Sequence, residues 1–215
     1  MILQTFREFW RLRKMPFYKH LDLDPLFGLA TDTLWGLACK ANDLESVSKI
    51  FNLKQRDGHK PLILFARDIR QAQDLIHISR PVQTLLEKWW PGPISIIGKP
   101  KDDKYSHCYP GNKHLGVRVP NHLTALKLLE LLNEPLAVTS FNISGQPNIT
   151  SIDELKSLFP DHVRQFHGSM PSISTASIVA QQIGDYKLKL LRYTNEQFKQ
   201  LQEDCEKISN IIIET

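Results

Sequence analysis

Residues 115–140 read LGVRVPNHLTALKLLELLNEPLAVTS, and this stretch decides the fold class. Residues 115–119 form a short apolar run of strand character. Residues 124–132 are strongly apolar and long enough for a helix, and 136–139 return to a strand. A strand, a helix and a strand in immediate succession are the building unit of a layered α/β domain.

The same alternation extends in both directions. Downstream, residues 140–150 form a polar loop. Ser151-Ile152-Asp153-Glu154 has the form of a capping box that opens a helix. Residues 177–179 and 187–191 read as late strands and 195–208 as a terminal helix. Upstream, 94–97 is a strand, and a helix over 82–90 is stopped by Pro91-Gly92-Pro93. A further helix is expected over 68–76 and a buried strand over 62–65. Leu44, Val47, Ile50 and Phe51 repeat at helical spacing, with Asn42 or Asp43 placed to cap them. Repeats and low-complexity tracts are absent.

With 215 residues, 41% of them hydrophobic and 23% charged, the chain has the makings of one soluble domain with a sizeable core. Its 27 Lys and Arg against 23 Asp and Glu leave a net charge of +4. That balance suits a protein that handles polyanions such as ATP or RNA, and equally an ordinary enzyme. Cys39, Cys108 and Cys205 have no CxxC spacing, which argues against a disulfide framework or zinc site and for a reducing cytoplasm. No apolar run approaches the roughly 20 residues needed to cross a bilayer. The basic N-terminus, with Arg7, Arg11, Arg13 and Lys14, lacks the apolar stretch of a signal peptide. Phe6, Phe9 and Trp10 are expected to dock a first helix on the core.

Four polar clusters lie at the ends of these elements, where open α/β sheets bind ligands. Thr31-Asp32-Thr33 could hold a small polar ligand or close a turn on itself. Lys54, Arg56 and Lys60 suit a triphosphate, although cations at a helix C-terminus also stabilise the helix dipole unaided. Thr139 to Gly145, TSFNISG, offers hydroxyls and an amide after a buried strand, for a ligand or for local turns. Arg118, inside an apolar strand, needs a carboxylate or an anionic ligand to answer it, and the reading favours the ligand. A glycine-rich P-loop and a GxGxxG motif are both missing, which disfavours the common nucleotide folds. His107, Cys108 and His114 form a loose set read as surface.

Taken in order, these segments resemble the YrdC/TsaC family in its short, bacterial single-domain form. The chain reads ATDTLWGL from Ala30, KQR from Lys54, WPGPIS from Trp90, GVRVP from Gly116, TSFNISG from Thr139, SIVA from Ser177 and LLRY from Leu190. The motifs cover about residues 27–193, between a divergent segment 1–26 and a terminal helix over 194–215. The resemblance implies one YrdC-like domain, a twisted mixed sheet with flanking helices around a large basic cavity. It implies a nucleotidyltransferase, the enzyme that forms threonylcarbamoyl-AMP and pyrophosphate from L-threonine, bicarbonate and ATP for tRNA modification.

By the same resemblance, Lys54, Arg56 and Lys60 meet the phosphates, with Lys54 and Arg56 carrying the catalytic role. Asn142, Thr150 and Arg192 hold the nucleotide, and Thr33, Arg118, Ser140 and Ser177 line the threonine pocket. Mg2+ is expected to arrive with ATP, with no protein ligand and no organic cofactor. A TsaD-type transferase and tRNA are the expected partners, without a membrane, in the cytoplasm. The departures from the pattern are Ala30, Trp35, Phe141, Ala176 and Ala180, and Phe141 brings enough bulk between Ser140 and Asn142 to reshape the pocket. Two other readings stand beside this one: a carbamoyl-adenylate-forming enzyme of the hydrogenase-maturation type, and a non-catalytic RNA-binding module.

Overall fold

The structure, a computed structural model, describes residues 23–57, 60–147, 149, 151–169 and 175–215. The N-terminal helix expected at Phe6 to Trp10 lies outside them, as does Thr150.

Among the described residues the elements run β1 (Phe27–Leu29), β2 (Gly36–Lys40), α1 (Leu44–Leu53), β3 (Ile63–Phe65), α2 (Ile69–Leu75), α3 (Arg80–Trp89) and β4 (Ile94–Gly98). A 3-10 turn at Ser106–Cys108 precedes β5 (Leu115–Arg118), α4 (Leu123–Leu132), β6 (Leu136–Ser140), α5 (Ile152–Leu158) and β7 (Gln165–His167). The chain continues through β8 (Ile178–Gly184), β9 (Lys187–Arg192), α6 (Asn195–Asp204), a π turn and β10 (Ile212–Glu214).

Local chemistry sets most helix ends. Asp43 and Asp68 each accept a hydrogen bond from the backbone of the first turn of α1 and α2. Asn133 closes α4 in the left-handed conformation, at φ 53°. Ser151 does precede α5, but its side chain makes no capping bond. The first-turn carboxylates Asp153 and Glu154 face the positive end of the helix dipole in its place. The reciprocal capping box of this chain is at α6, between Thr194 and Gln197. The terminal helix is also shorter than expected: it loosens into the π turn at Cys205–Ser209, and residues 212–214 pair as a strand.

All ten strands join one mixed sheet in the order β10-β9-β8-β4-β5-β3-β6-β2-β1-β7. Four of the nine pairings are parallel: β1 with β7, β3 with β5, β4 with β8, and β9 with β10. Strands β1, β2, β7 and β10 escape a reading by apolar runs. Three are only three residues long, and β2 carries glycine and lysine at its ends.

Side chains alternate between the two faces of a strand, and here the faces have different coverings. One face carries the main core, where Leu37, Leu64, Ile96, Val117, Ile178 and Leu190 meet α1, α2, α3 and α6 through Val47, Ile50, Ala72, Leu85 and Leu201. On the opposite face α4 lays Ala125, Leu128 and Leu129 over Phe27, Leu29, Ala38, Phe65, Leu136 and Val138. Helix α4 covers only part of that face. The remainder is the floor of a cleft.

Candidate active site

The cleft lies between that floor, the loop of residues 31–36 and the end of β6 at Thr139 and Ser140. Ile63, Phe65, Ser95 and Val138 contribute the floor, and Arg56, Arg118 and Arg192 bring three guanidinium groups to its walls.

Arg118 lies at the end of β5, where alternation turns it away from the main core that holds Leu115 and Val117. It is 4% exposed. Its Nη2 donates to Asp32 Oδ1 at 2.7 Å, Nη1 to Thr33 Oγ1 at 3.0 Å and Nε to the Gly92 carbonyl at 3.0 Å. The guanidinium is therefore answered by a carboxylate, which corrects the expectation that a ligand answers it. Burial works against its charge, and the attraction of Asp32 works for it. Gly92 fits against the end of α3 because it has no side chain: a Cβ there would lie 2.2 Å from the Trp89 carbonyl oxygen. The second oxygen of Asp32, Oδ2, is buried without a hydrogen-bond partner.

Arg192 reaches the cleft through an irregularity in the sheet. Ala180 pairs with Leu190, but its neighbour Val179 pairs with Arg192. Leu191 is thus an extra, exposed residue, a β-bulge. Paired residues share a face, so the bulge moves Arg192 off the Leu188 and Leu190 side and onto the Val179 side. There it donates to the carbonyl and the hydroxyl of Ser177, both at 3.0 Å. Ser177 also contacts Ser95 Oγ at 3.4 Å, which joins the floor to this wall.

Arg56 stands just past α1, beyond a turn at Gln55 in the left-handed region, φ 49°. Its Nε donates to the Lys60 carbonyl at 2.7 Å and its Nη2 to the Pro61 carbonyl at 2.9 Å. Among the described residues no carboxylate lies within ion-pairing distance of Arg56 or Arg192. Desolvation lowers the pKa of each, and after it the charge of a second arginine: Arg192 acts on Arg56, and Arg118 on Arg192. An arginine stays ionised despite such pressure. The cleft therefore holds crowded positive charge that an anion would relieve.

Lys54, on the other side of the Gln55 turn, goes elsewhere. Only 1% exposed, it donates to the Ser140 carbonyl at 2.5 Å, to Asn142 Oδ1 at 3.0 Å and to the Asn142 carbonyl. Three donors meet three acceptors, so its ammonium is fully used behind the loop. Burial and then the charge of Arg56 pull its pKa down to about 7. Asn142 is buried as well: its Oδ1 also accepts from Ser140 Oγ at 2.7 Å, and its Nδ2 donates to the Gln146 carbonyl at 2.6 Å.

Of the residues singled out in the sequence, Thr33, Arg56, Arg118, Ser140, Ser177 and Arg192 share the cleft. Lys54 and Asn142 stand behind it, Lys60 is exposed outside its lining, and Thr150 is outside the described residues. Phe141 does not intrude between its neighbours. It is 2% exposed and packs backwards against Phe159 and Phe166. Ser95 was not singled out, and Asp32 was read only within the Thr31-Asp32-Thr33 cluster, not as the partner of Arg118. Ser95 could have been found as the lone polar residue in the strand Ile94-Ser95-Ile96-Ile97. Nor is the His107 and Cys108 pair a surface feature: Cys108 is fully buried, and His107 Nε2 lies 2.7 Å from the Ala41 carbonyl oxygen.

The family model for Sua5, YciO and YrdC, described as telomere recombination, matches residues 21–193. A Mus musculus protein named threonylcarbamoyl-AMP synthase is 32% identical over 130 residues, 60% of this chain and 46% of its own length. A Vibrio campbellii protein of the same name is 32% identical over 149 residues, 67% of this chain and 80% of its own. The crystal structure of Pyrococcus abyssi Sua5 complexed with L-threonine superposes with a TM-score of 0.74 at 28% identity, covering 88% of this chain and 55% of that one. The chain thus spans about half the length of several of the relatives it matches.

Proposed function

The chain belongs to the Sua5/YciO/YrdC family, and from that membership we propose that it is an L-threonylcarbamoyladenylate synthase. The substrates of the reaction are ATP, L-threonine and bicarbonate, and the products are threonylcarbamoyl-AMP and pyrophosphate. One observation carries the reading. Three guanidinium groups converge on one cleft, and the one among them that is paired with a carboxylate, Arg118, also donates to the side-chain hydroxyl of Thr33.

This pairing divides the cleft into two ends. Arg118 is neutralised by Asp32 and bonded to the hydroxyl of Thr33, with Ser140 lining the same cleft, a setting suited to a zwitterion with a hydroxylated side chain. Arg56 and Arg192, without carboxylate partners among the described residues, suit the triphosphate. Bicarbonate takes a proton and loses water to give CO2, and the threonine amine adds to the CO2 and releases a proton to give an N-carboxylate. One of its oxygens attacks the α-phosphorus, the bond to the β-phosphate oxygen breaks, and pyrophosphate leaves. The protein makes no covalent bond. Its contribution is to hold two anions within reach of one another and to neutralise the charge that builds on the leaving group.

Lys54 enters this scheme as a positioning residue. Its ammonium holds Ser140 and Asn142 in place, and the contacts to phosphate fall to Arg56 and Arg192. Mg2+ would travel with ATP, but the cleft lining offers it no carboxylate. Among the described residues no group of three or more His, Cys, Asp or Glu could hold a metal ion. A TsaD-type transferase acting on tRNA would consume the product, which suits the cytoplasm. Among the described residues no helix is long and apolar enough to cross a membrane.

The test is threonine-dependent pyrophosphate release from ATP and bicarbonate. The wild-type chain is expected to turn over, and Arg56→Ala to lose roughly 10²–10³-fold in kcat with the fold retained. Release that requires carbamoyl phosphate, or RNA binding without any release, would reject the proposal.

A further inference from the structure

Behind the cleft wall lies a connected set of aromatic rings that the reaction scheme leaves unused. Trp35 lines the cleft although only 3% of its surface is exposed. Phe166 meets it edge-on, with ring centroids 6.0 Å apart and planes at 74°. Phe141 lies 5.7 Å from Phe166, and Phe159 lies 5.8 Å from Phe141. The loop of residues 31–36 and the end of β6 are also joined by backbone, because Phe141 N donates to the Trp35 carbonyl at 2.8 Å.

The set cannot retreat. Phe166 is the registered partner of Gly28 across β1 and β7. Its ring occupies the space a side chain on Gly28 would need, since a Cβ there would come within 2.4 Å of it. Phe166 is half-buried on the edge strand β7, and its contacts with Gly28, Trp35 and Phe141 are what hold the ring in place. Trp35 is therefore a fixed wall. Trp35 and Thr33 line the same cleft on one loop, and Thr33 accepts a hydrogen bond from Arg118, which puts Trp35 on the loop that carries the end assigned above to the amino acid.

We infer that Trp35 is a specificity-determining residue that limits the cleft to amino acids with a side chain about the size of threonine's, and that Phe141 and Phe166 are positioning residues that hold it there. The inference rests on the proposed amino-acid site. A larger side chain has to displace Trp35, and Trp35 cannot move unless Phe166 moves against Gly28.

The experiment measures the binding of threonine, leucine and ATP to the full chain by calorimetry, for wild type, Trp35→Ala and Phe166→Leu. Wild type is expected to bind threonine more than about tenfold tighter than leucine. Trp35→Ala is expected to gain leucine binding, and Phe166→Leu to narrow the ratio without touching the ligand, with ATP affinity unchanged in both. Phe166→Leu is the smaller cut, and it carries the test if Trp35→Ala does not fold. A ratio that stays at the wild-type value in the folded variants, or a loss of ATP affinity in place of a change in the ratio, overturns the inference alone. A wild-type chain that binds ATP but no amino acid overturns the proposed function with it.

Discussion

Arg118 and Asp32 meet at 2.7 Å, Nη2 to Oδ1, with side chains only 4% and 12% exposed. The pair joins the end of β5 to the loop before β2, and it separates one neutralised arginine from two that have no carboxylate within ion-pairing distance among the described residues. Removing the carboxylate leaves a buried charge unanswered. Asp32→Asn is expected to cost about 3–5 kcal/mol, a fall in Tm on the order of 10 °C. It should also raise KM for threonine more than KM for ATP. A thermal melt and steady-state kinetics check both, and a variant with wild-type stability would show that the pair does not hold the loop.

Lys54 makes stability depend on pH. In the fold its ammonium has a pKa of about 7, lowered by burial and then by Arg56, whereas in the unfolded chain it titrates near ~10.4. Between those values the unfolded chain keeps a proton that the native chain has released. Each rise in pH across that window therefore favours the native state, and below it the contribution is flat. The difference in Tm between wild type and Lys54→Met should move in favour of wild type from pH 7 to pH 9.5. A constant difference would contradict the assignment.

Leu191 is the extra residue of the bulge beside Arg192. Deleting it makes Arg192 follow Leu190 directly, so alternation keeps Arg192 opposite Val179, on the cleft face, with the bulge removed. The deletion should therefore leave KM for ATP near the wild-type value, whereas Arg192→Ala raises it, with the circular dichroism of the sheet preserved in both. A deletion variant whose KM rises as far as that of Arg192→Ala would show that alternation does not set the face Arg192 presents.

The three thiols should be inert in the native state. Burial pushes Cys108 and Cys205 up to about 12 and raises Cys39 well above its ordinary value, and all three are free. Thiolate is the reacting species. Iodoacetamide is expected to modify none of the three in the native protein at pH 8 and all of them in urea, as read by mass spectrometry.

Much of this molecule was legible along the chain. The central strands and their helices follow from apolar runs and spacing, because burial on a sheet or against a helix leaves a periodic trace. The ordered motifs from Thr33 to Arg192 brought six of the ten chosen site residues to one cleft. The short strands left no such trace: three residues such as Phe27–Leu29 are strand only because β2 and β7 lie beside them.

What the chain order settled was the identity of the polar residues and the family they mark, since residue type and spacing are local properties. Folding alone decided how those residues are used. Lys54 was read as a phosphate ligand, but it meets oxygens 86 and 88 positions away and is fully occupied there. Arg118 finds its counter-charge 86 positions away. The face that Arg192 presents depends on one unpaired residue in the sheet, and the bulk of Phe141 matters for the rings behind it. In each case the deciding contact is made between segments distant in sequence, and the energy of pairing a charge or filling a void exists only once those segments are in contact.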